Sequence, residues 1–438
     1  MTVRWSVRGD PATASAPGRK HRVLSIAFTN YPVDTRVRRE AEALVARGMS
    51  VDVICPWTPS LGGRRWIDGV TVHPVGTLEL QHELSPLAYI QRDVAFVVRA
   101  AVAALRLQVR NRYDVVQVNT MPDYLVAAAA LPKLLGAKVV LDVHDLVPEL
   151  YAAKFGVDES SLVIKLVTFV ERCCVRLADR ALAVHRPHLE ALLRHGNRET
   201  KFSIVMNTPD MRFFSRRNEP SLSGPFVLLY HGTVSRRHGL ETAVRAVEIA
   251  RQTYDDIELL IVGEGDDVER LKGIVDARGL GQAVRFEGMR PVEQLRPLFE
   301  RASAGIVPYV EDPFTRYMLP VKLLEDVALG LPVISSETST IRAYFDETMV
   351  AFVRPGDIAD LAAKIVALRR DPELRDSLVR NADTFLEHYS WAHESEQYHS
   401  LIEGLAASRT TRFTGLRSMR NLLKERTHGQ EDSGDRTR

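Results

Sequence analysis

Residues 22–28 (RVLSIAF) are apolar without alternation, as expected of a strand buried on both faces of a parallel sheet. Val37, Ala41, Leu44 and Val45 then recur at helical spacing, and Gly48 stops the helix before a second strand at 51–54 (VDVI). A strand–helix–strand opening of this kind belongs to a doubly wound α/β sheet. In such sheets the loop after the first strand lies at the ligand edge, so Asn30, Asp34 and Arg36 are candidates for lining a cleft. Asp34 is equally well placed to cap the helix that follows.

The same grammar runs on. Strands are expected at 114–118, 138–142, 181–184 and 203–206, and, after a polar stretch at 215–225, at 226–230, 257–262, 284–287, 304–307 and 332–335. Helices are expected at 84–112, 124–135, 159–178, 187–195, 358–370 and 372–388. A chain of 438 residues is too long for one core. The reading is therefore two α/β halves, 21–215 and 216–390, closed by a helix at 391–405. Residues 1–20 lack the apolar segment of a signal peptide and read as a disordered leader. Residues 406–438 read as a basic, mostly disordered tail.

Several classes of function drop out. A formal charge of +2 gives no case for nucleic acid. The three cysteines, Cys55, Cys173 and Cys174, make neither a disulfide framework nor a metal site and point to a reducing, cytoplasmic compartment. There is no apolar run of about 18 residues to span a membrane. The first strand is not followed by the Gly-x-Gly-x-x-Gly turn of NAD or FAD enzymes.

Three stretches carry chemistry. In Met318–Ser336, Pro320 suits a first helical position, Gly330 the residue after the helix, and Pro332 its end. Lys322 lies in the first turn, where the macrodipole disfavours a cation unless an anion docks there. Glu325, one turn on, could accept from two sugar hydroxyls; both residues would also suit a solvated helix face. His144-Asp145 follows the strand at 138–142, where such sheets place chemistry, and a neutral imidazole can exchange a proton near pH 7. The loop His231–Gly239 joins glycines, which allow close approach, to Arg236 and Arg237, which can clamp phosphate or sit solvated. Gly263-Glu264-Gly265 reads as a tight turn before a helix capped by acids. Arg92, Arg99 and Arg106 share one face of the helix at 84–112, which fits either an anionic membrane surface or a core helix with a solvated arginine face. Phe413, Leu416, Met419 and Leu423 in the tail form a second amphipathic candidate.

In this order the motifs resemble glycosyltransferase family 4, retaining enzymes of GT-B fold. They are Asp34-Thr35-Arg36-Val37, Asp142–Asp145, Ala178–Ala181, Val205-Met206-Asn207, His231-Gly232-Thr233, Val262–Gly265, Phe286-Glu287-Gly288 and the Met318–Ser336 stretch. The resemblance implies two Rossmann-like domains facing across a cleft, a nucleotide-diphosphate sugar on the second and a glycan or lipid-linked acceptor on the first. It implies that Glu325 holds the donor ribose, that Arg236 and Arg237 meet the diphosphate, and that His144 stands near the reacting sugar carbon. His144, Arg237 and Glu325 are then the catalytic candidates. Gly232, Thr233, Met289 (within Phe286–Arg290), Leu319 and Lys322 join the donor set, and Asn30, Asp34, Arg36 and Asp145 the acceptor or cleft set. Two positions depart from the family. Tyr317 stands where a second glutamate is usual, and Thr233 and His238 stand where Arg and Lys are usual. The expected reaction is metal-independent, with no cofactor beyond the nucleotide-sugar co-substrate, at a cytoplasmic or peripheral membrane site. A nucleotide-sugar 2-epimerase of the same fold and a non-catalytic nucleotide-sugar-binding protein are the alternatives.

Overall fold

The computed structural model describes residues 20–31, 33–77, 86–217 and 224–408, and at 86, 87, 89 and 90 the backbone alone. The leader at 1–19, most of the linker and the tail with Phe413 and Leu416 lie outside the described residues.

Two sheets carry the molecule. The first contains β1 (Arg22–Ala27), β2 (Ser50–Trp57), β3 (Trp66–Ile67), β4 (Val70–Thr77), β5 (Val115–Asn119), β6 (Lys138–Val143), β7 (Arg180–Ala183) and β8 (Phe202–Ile204). Their order is β3-β4-β2-β1-β5-β6-β7-β8, all parallel except the β3–β4 pair. The second contains β9 (Phe226–His231), β10 (Ile257–Val262), β11 (Val284–Gly288), β12 (Ala304–Val307), β13 (Val333–Ser336) and β14 (Ala351–Val353), in the order β11-β10-β9-β12-β13-β14. β1 lies between β2 and β5, and β9 between β10 and β12. These are the switch points at which a crevice opens beyond the carboxyl ends of the strands. The GT-B architecture expected from the sequence is what the chain adopts.

The unbroken apolar runs form the central strands because both faces are covered. One face of the first sheet packs under Pro86–Asn111, Asp123–Leu134 and Leu162–Leu177, with Leu24, Val116 and Leu141 at its core. The other face packs under Thr35–Ala46. The strands missed in sequence are β3, β4 and β14. β3 and β14 are very short, and β4 carries His73 and Pro74 within an otherwise apolar pattern.

Two local expectations are corrected. Pro320 is the residue before the helix Val321–Ala328 and not its first residue, with φ −66° and ψ 122°. That extended ψ is what lets the chain enter the helix from the cleft. The segment expected as an α-helix at 124–135 is a 3-10 helix over Asp123–Ala129 and an α-helix only from Ala130 to Leu134. The final helix, running from 391 to 408, leaves the second half and returns to the first. Tyr398, Ile402 and Ala406 enter the core beside Val23 and Val51, and the Tyr398 hydroxyl donates to Gln117 Oε1 at 2.6 Å. At its start the Arg39 guanidinium lies 4.0 Å over the Trp391 ring, and Glu394 Oε2 accepts from the Met206 N–H at 2.7 Å. Among the described residues no helix is long and apolar enough to cross a membrane.

Candidate functional site

The segment after β1 and the loops after β6, β7 and β8 face the loop after β12 and the start of Val321–Ala328. Between them lies a cavity of about 150 Å³. Arg36, His144, Asp145 and His188 bound it from the first half, and Tyr309, Tyr317 and Leu319 from the second.

On the first side the polar groups hold one another. Asp34 caps the helix Thr35–Ala46 by accepting from the Arg36 N–H at 3.1 Å. Its carboxylate also accepts from the Arg36 guanidinium at 3.3 Å and from the Thr29 hydroxyl at 2.7 Å. Burial works to raise the Asp34 carboxyl, yet the Arg36 charge and these bonds take it down to about 2. Arg36 is held firmly protonated: burial opposes its charge, and Asp34 and Asp145 sustain it. Asn30 turns away from the cavity, accepting from the Thr58 hydroxyl at 2.7 Å and reaching Ser60 at 3.4 Å.

His144 sits where β6 ends, its N–H donating to Thr120 Oγ1 at 3.1 Å. Its Nε2 lies 2.9 Å from Asp142 Oδ2, but without hydrogen-bond alignment, so both ring nitrogens lack a hydrogen-bond partner. His188 is buried and likewise lacks partners at both nitrogens. Burial, with the neighbouring His185 and His144, pushes His188 well below its usual range, and burial takes His185 down to about 4. His185 and His188 therefore present neutral imidazoles to the cavity. The strand-end rule that singles out His144 would also have found His185, one residue beyond β7's apolar run. No sequence signal marked His188.

On the second side the helix Val321–Ala328 and the loop after β9 build one cluster. Lys322 Nζ donates to the Tyr230 hydroxyl at 2.6 Å and lies 3.9 Å from that ring's centroid. Burial pushes its ammonium down to about 7, against the pull of Asp326 and Glu325. Gly232, at φ +111°, leaves this amine room: a Cβ there would lie 3.4 Å from Lys322 Nζ. Gly263 has no such latitude, since a Cβ on it would fall 1.9 Å from the Gly232 carbonyl. The loops after β9 and β10 thus meet backbone to backbone, which only glycine permits.

His231 was missed as a functional residue. Its Nε2 lies 3.0 Å from Asp326 Oδ1 and its Nδ1 3.5 Å from Glu325 Oε2. Burial would lower this histidine, but Asp326 and Glu325 hold it up. Burial raises both carboxyls, with His231 opposing. Its position as the last residue of β9 was the available signal. His238 supplies no charge: burial and the charge of Lys322 take it down to about 3, and Nδ1 turns to the Thr233 carbonyl at 2.6 Å.

Not every candidate converges here. Arg236 and Arg237 line a neighbouring cavity of about 570 Å³ with Lys154, Asp266 and Asp267. Arg236 is 80% exposed and 3.6 Å from Asp267, and Arg237 stacks 5.3 Å over Phe314. Asp267 does not cap its helix by a side-chain bond, as the sequence suggested; it accepts from Arg270 at 2.6 Å. Met289 lies beyond β11, 68% exposed. Tyr317 faces the first cavity, with the Arg194 guanidinium 5.2 Å from its ring.

Comparisons with known proteins agree with this geometry. Residues 33–208 match the glycosyl transferase 4-like domain and 211–385 match glycosyl transferases group 1. The amylovoran biosynthesis glycosyltransferase AmsK of Erwinia amylovora is 26% identical over 189 residues, 43% of this chain and 46% of that one. The phosphatidyl-myo-inositol mannosyltransferase of Mycobacterium leprae is 30% identical over 173 residues, 39% of this chain and 44% of that one. The matches thus span just under half the length of these two curated relatives. Among solved structures, sucrose-phosphate synthase from Thermosynechococcus elongatus superposes with a TM-score of 0.71 at 21% identity, covering 89% of this chain and 100% of that one.

Proposed function

Because the chain belongs to the family 4 type of glycosyltransferase, with the GT-B fold, we propose that it moves a sugar from a nucleotide-diphosphate donor to a glycan or lipid-linked acceptor with retention of configuration. The observation that carries this reading is the buried Lys322, held at about 7 beside the loop after β9, on a helix whose first turn lines the cavity that His144 also lines.

An ammonium that burial has brought to half-ionisation regains its full charge when a diphosphate arrives. Lys322 and the first turn of Val321–Ala328 then bear the negative charge that grows on the leaving group. Glu325 accepts from the ribose hydroxyls, with His231 fixing its carboxylate. His144 meets the sugar near its reacting carbon, and Arg36 and Asp145 orient the acceptor. The leaving phosphate takes the acceptor's proton as the new bond forms on the same face. Arg236 reaches the diphosphate by swinging from its own cavity, a movement open to a side chain this exposed, and Arg237 follows by leaving the Phe314 ring.

By their names, AmsK serves amylovoran biosynthesis and the Mycobacterium leprae relative is a phosphatidyl-myo-inositol mannosyltransferase, and the second supports a lipid-bearing acceptor. The test is a thermal-shift screen against UDP-, GDP-, ADP- and dTDP-sugars, since a native-state ligand raises apparent stability. Turnover of the stabilising donor with an acceptor panel, and the anomeric configuration of the product by NMR, follow. Product formed only with acceptor present is expected. Donor converted without acceptor would indicate an epimerase instead, and binding without turnover a non-catalytic protein.

A further inference from the structure

The large apolar side chains that this protein exposes are concentrated on one layer. Pro86–Asn111 exposes Val94, Val98, Val102 and Val109. Leu131, Leu134 and Leu135 do the same on the neighbouring segment, which packs against both flanking helices. On Leu162–Leu177, Leu162 is 82%, Leu166 63% and Phe169 55% exposed, at the spacing of one helical face, while Ile164, Cys174 and Val175 fill the core on the other. From β9 to β14, by contrast, only Ile249 and Met289 are exposed in this way among the described residues. A continuous apolar surface of this kind marks an interaction site.

The exposed charge on these three segments has one sign. Arg99, Arg106, Arg110, Lys165 and Arg176 are exposed. The acids of the same three segments turn inward: Asp93 pairs with Arg92 at 3.0 Å, and Asp123 and Glu171 are buried. Arg92, read from sequence as part of the cationic face, also lies 5.2 Å over the Phe28 ring. Beyond these segments exposed acids return at Asp158 and Glu159, on the cleft side, where Glu159 lies 3.9 Å from Arg316, and at Glu190 and Glu199, where both pair with Arg186. A second copy docking by two-fold symmetry would set these cations against one another. An anionic bilayer accepts both the apolar side chains and the cations.

The layer also adjoins the cleft. Val147–Phe155 begins just past His144, packs on Leu162–Leu177, and exposes Tyr151 and Phe155. Lys154 on this helix shares a cavity with Arg236 and Arg237. We propose that this face docks on an anionic lipid bilayer and that the cleft opens at the membrane surface, where a lipid-anchored acceptor reaches His144 without leaving the bilayer. The docking stands on the surface alone; the acceptor clause rests on the transferase reading.

The test is co-sedimentation of the full chain with vesicles of phosphatidylcholine and of equimolar phosphatidylcholine and phosphatidylglycerol. Binding to the mixed vesicles is expected, reduced about tenfold or more by the triple substitution Leu162→Glu, Leu166→Glu and Phe169→Glu, and reduced less by Arg99→Glu with Arg106→Glu. A donor-induced thermal shift equal to wild type shows that the triple variant is folded. Wild-type protein left in the supernatant with both vesicles would sink the proposal. So would a wild-type dimer by light scattering that the triple variant converts to monomer without change in vesicle binding. Vesicle binding with no turnover of any donor would leave the docking face standing and remove the transferase reading.

Discussion

The two walls of the cleft handle buried charge in opposite ways. In the first half Arg36 and Asp34 neutralise each other through several hydrogen bonds, and the Asp34 carboxyl is held at about 2. In the second half Lys322 falls to about 7 while Glu325 and Asp326 are raised. On the first wall the Asp34–Arg36 pair is mutually compensated, while the ring nitrogens of His144 and His188 are left without hydrogen-bond partners. The second is under-compensated and gains stability from an anion. That contrast supports the proposal that the donor binds at the second wall and that the first positions and reacts.

The largest break in the comparison should come from His144→Ala. Turnover is expected to fall about a hundredfold or more, with donor affinity within about twofold of wild type. An equal loss in affinity would move His144 into the donor site. Next come the second-wall substitutions. Lys322→Ala should weaken donor binding about thirtyfold by calorimetry and Glu325→Ala about tenfold, as charged hydrogen bonds are lost. Donor affinity indifferent to both would dissolve the distinction between the walls.

Lys322 also gives a signed pH dependence. Its folded value of about 7 lies below the ordinary 10.5, so between those values the unfolded chain holds the extra proton. Stability should therefore rise with pH across that window. Donor affinity should run the other way, falling by up to about tenfold per unit above pH 7, because binding needs the ammonium. Lys322→Met should flatten both profiles; persistent slopes would point to His231 or another group. The smallest effect is on the first wall's support. Asn30→Ala loses the Thr58 bond and should cost about 1 kcal/mol in denaturant unfolding. A loss of turnover matching that of His144→Ala would return Asn30 to the cleft.

The buried strands were readable because a central parallel strand needs apolar residues on both faces, and residues 22–28 and 257–262 provide them. Glu325 and Lys322 were readable as a pair through helical spacing, and His144 through its place at a strand end. His231 and Asp326 were not, because their contact joins residues 95 positions apart. Nor was the inward turn of the acids on the exposed apolar layer, since a helical period shows which residues share a face and not what covers it.

Taken alone, the sequence determined the two sheets, the cleft loops and the residue types that line them, because strand burial and glycine turns are local requirements. Only the tertiary structure decided which charges are paired, which lose water and which side chains stay exposed. Those properties depend on neighbours brought in from the other half of the chain, and the return of the last helix to the first sheet is the plainest case.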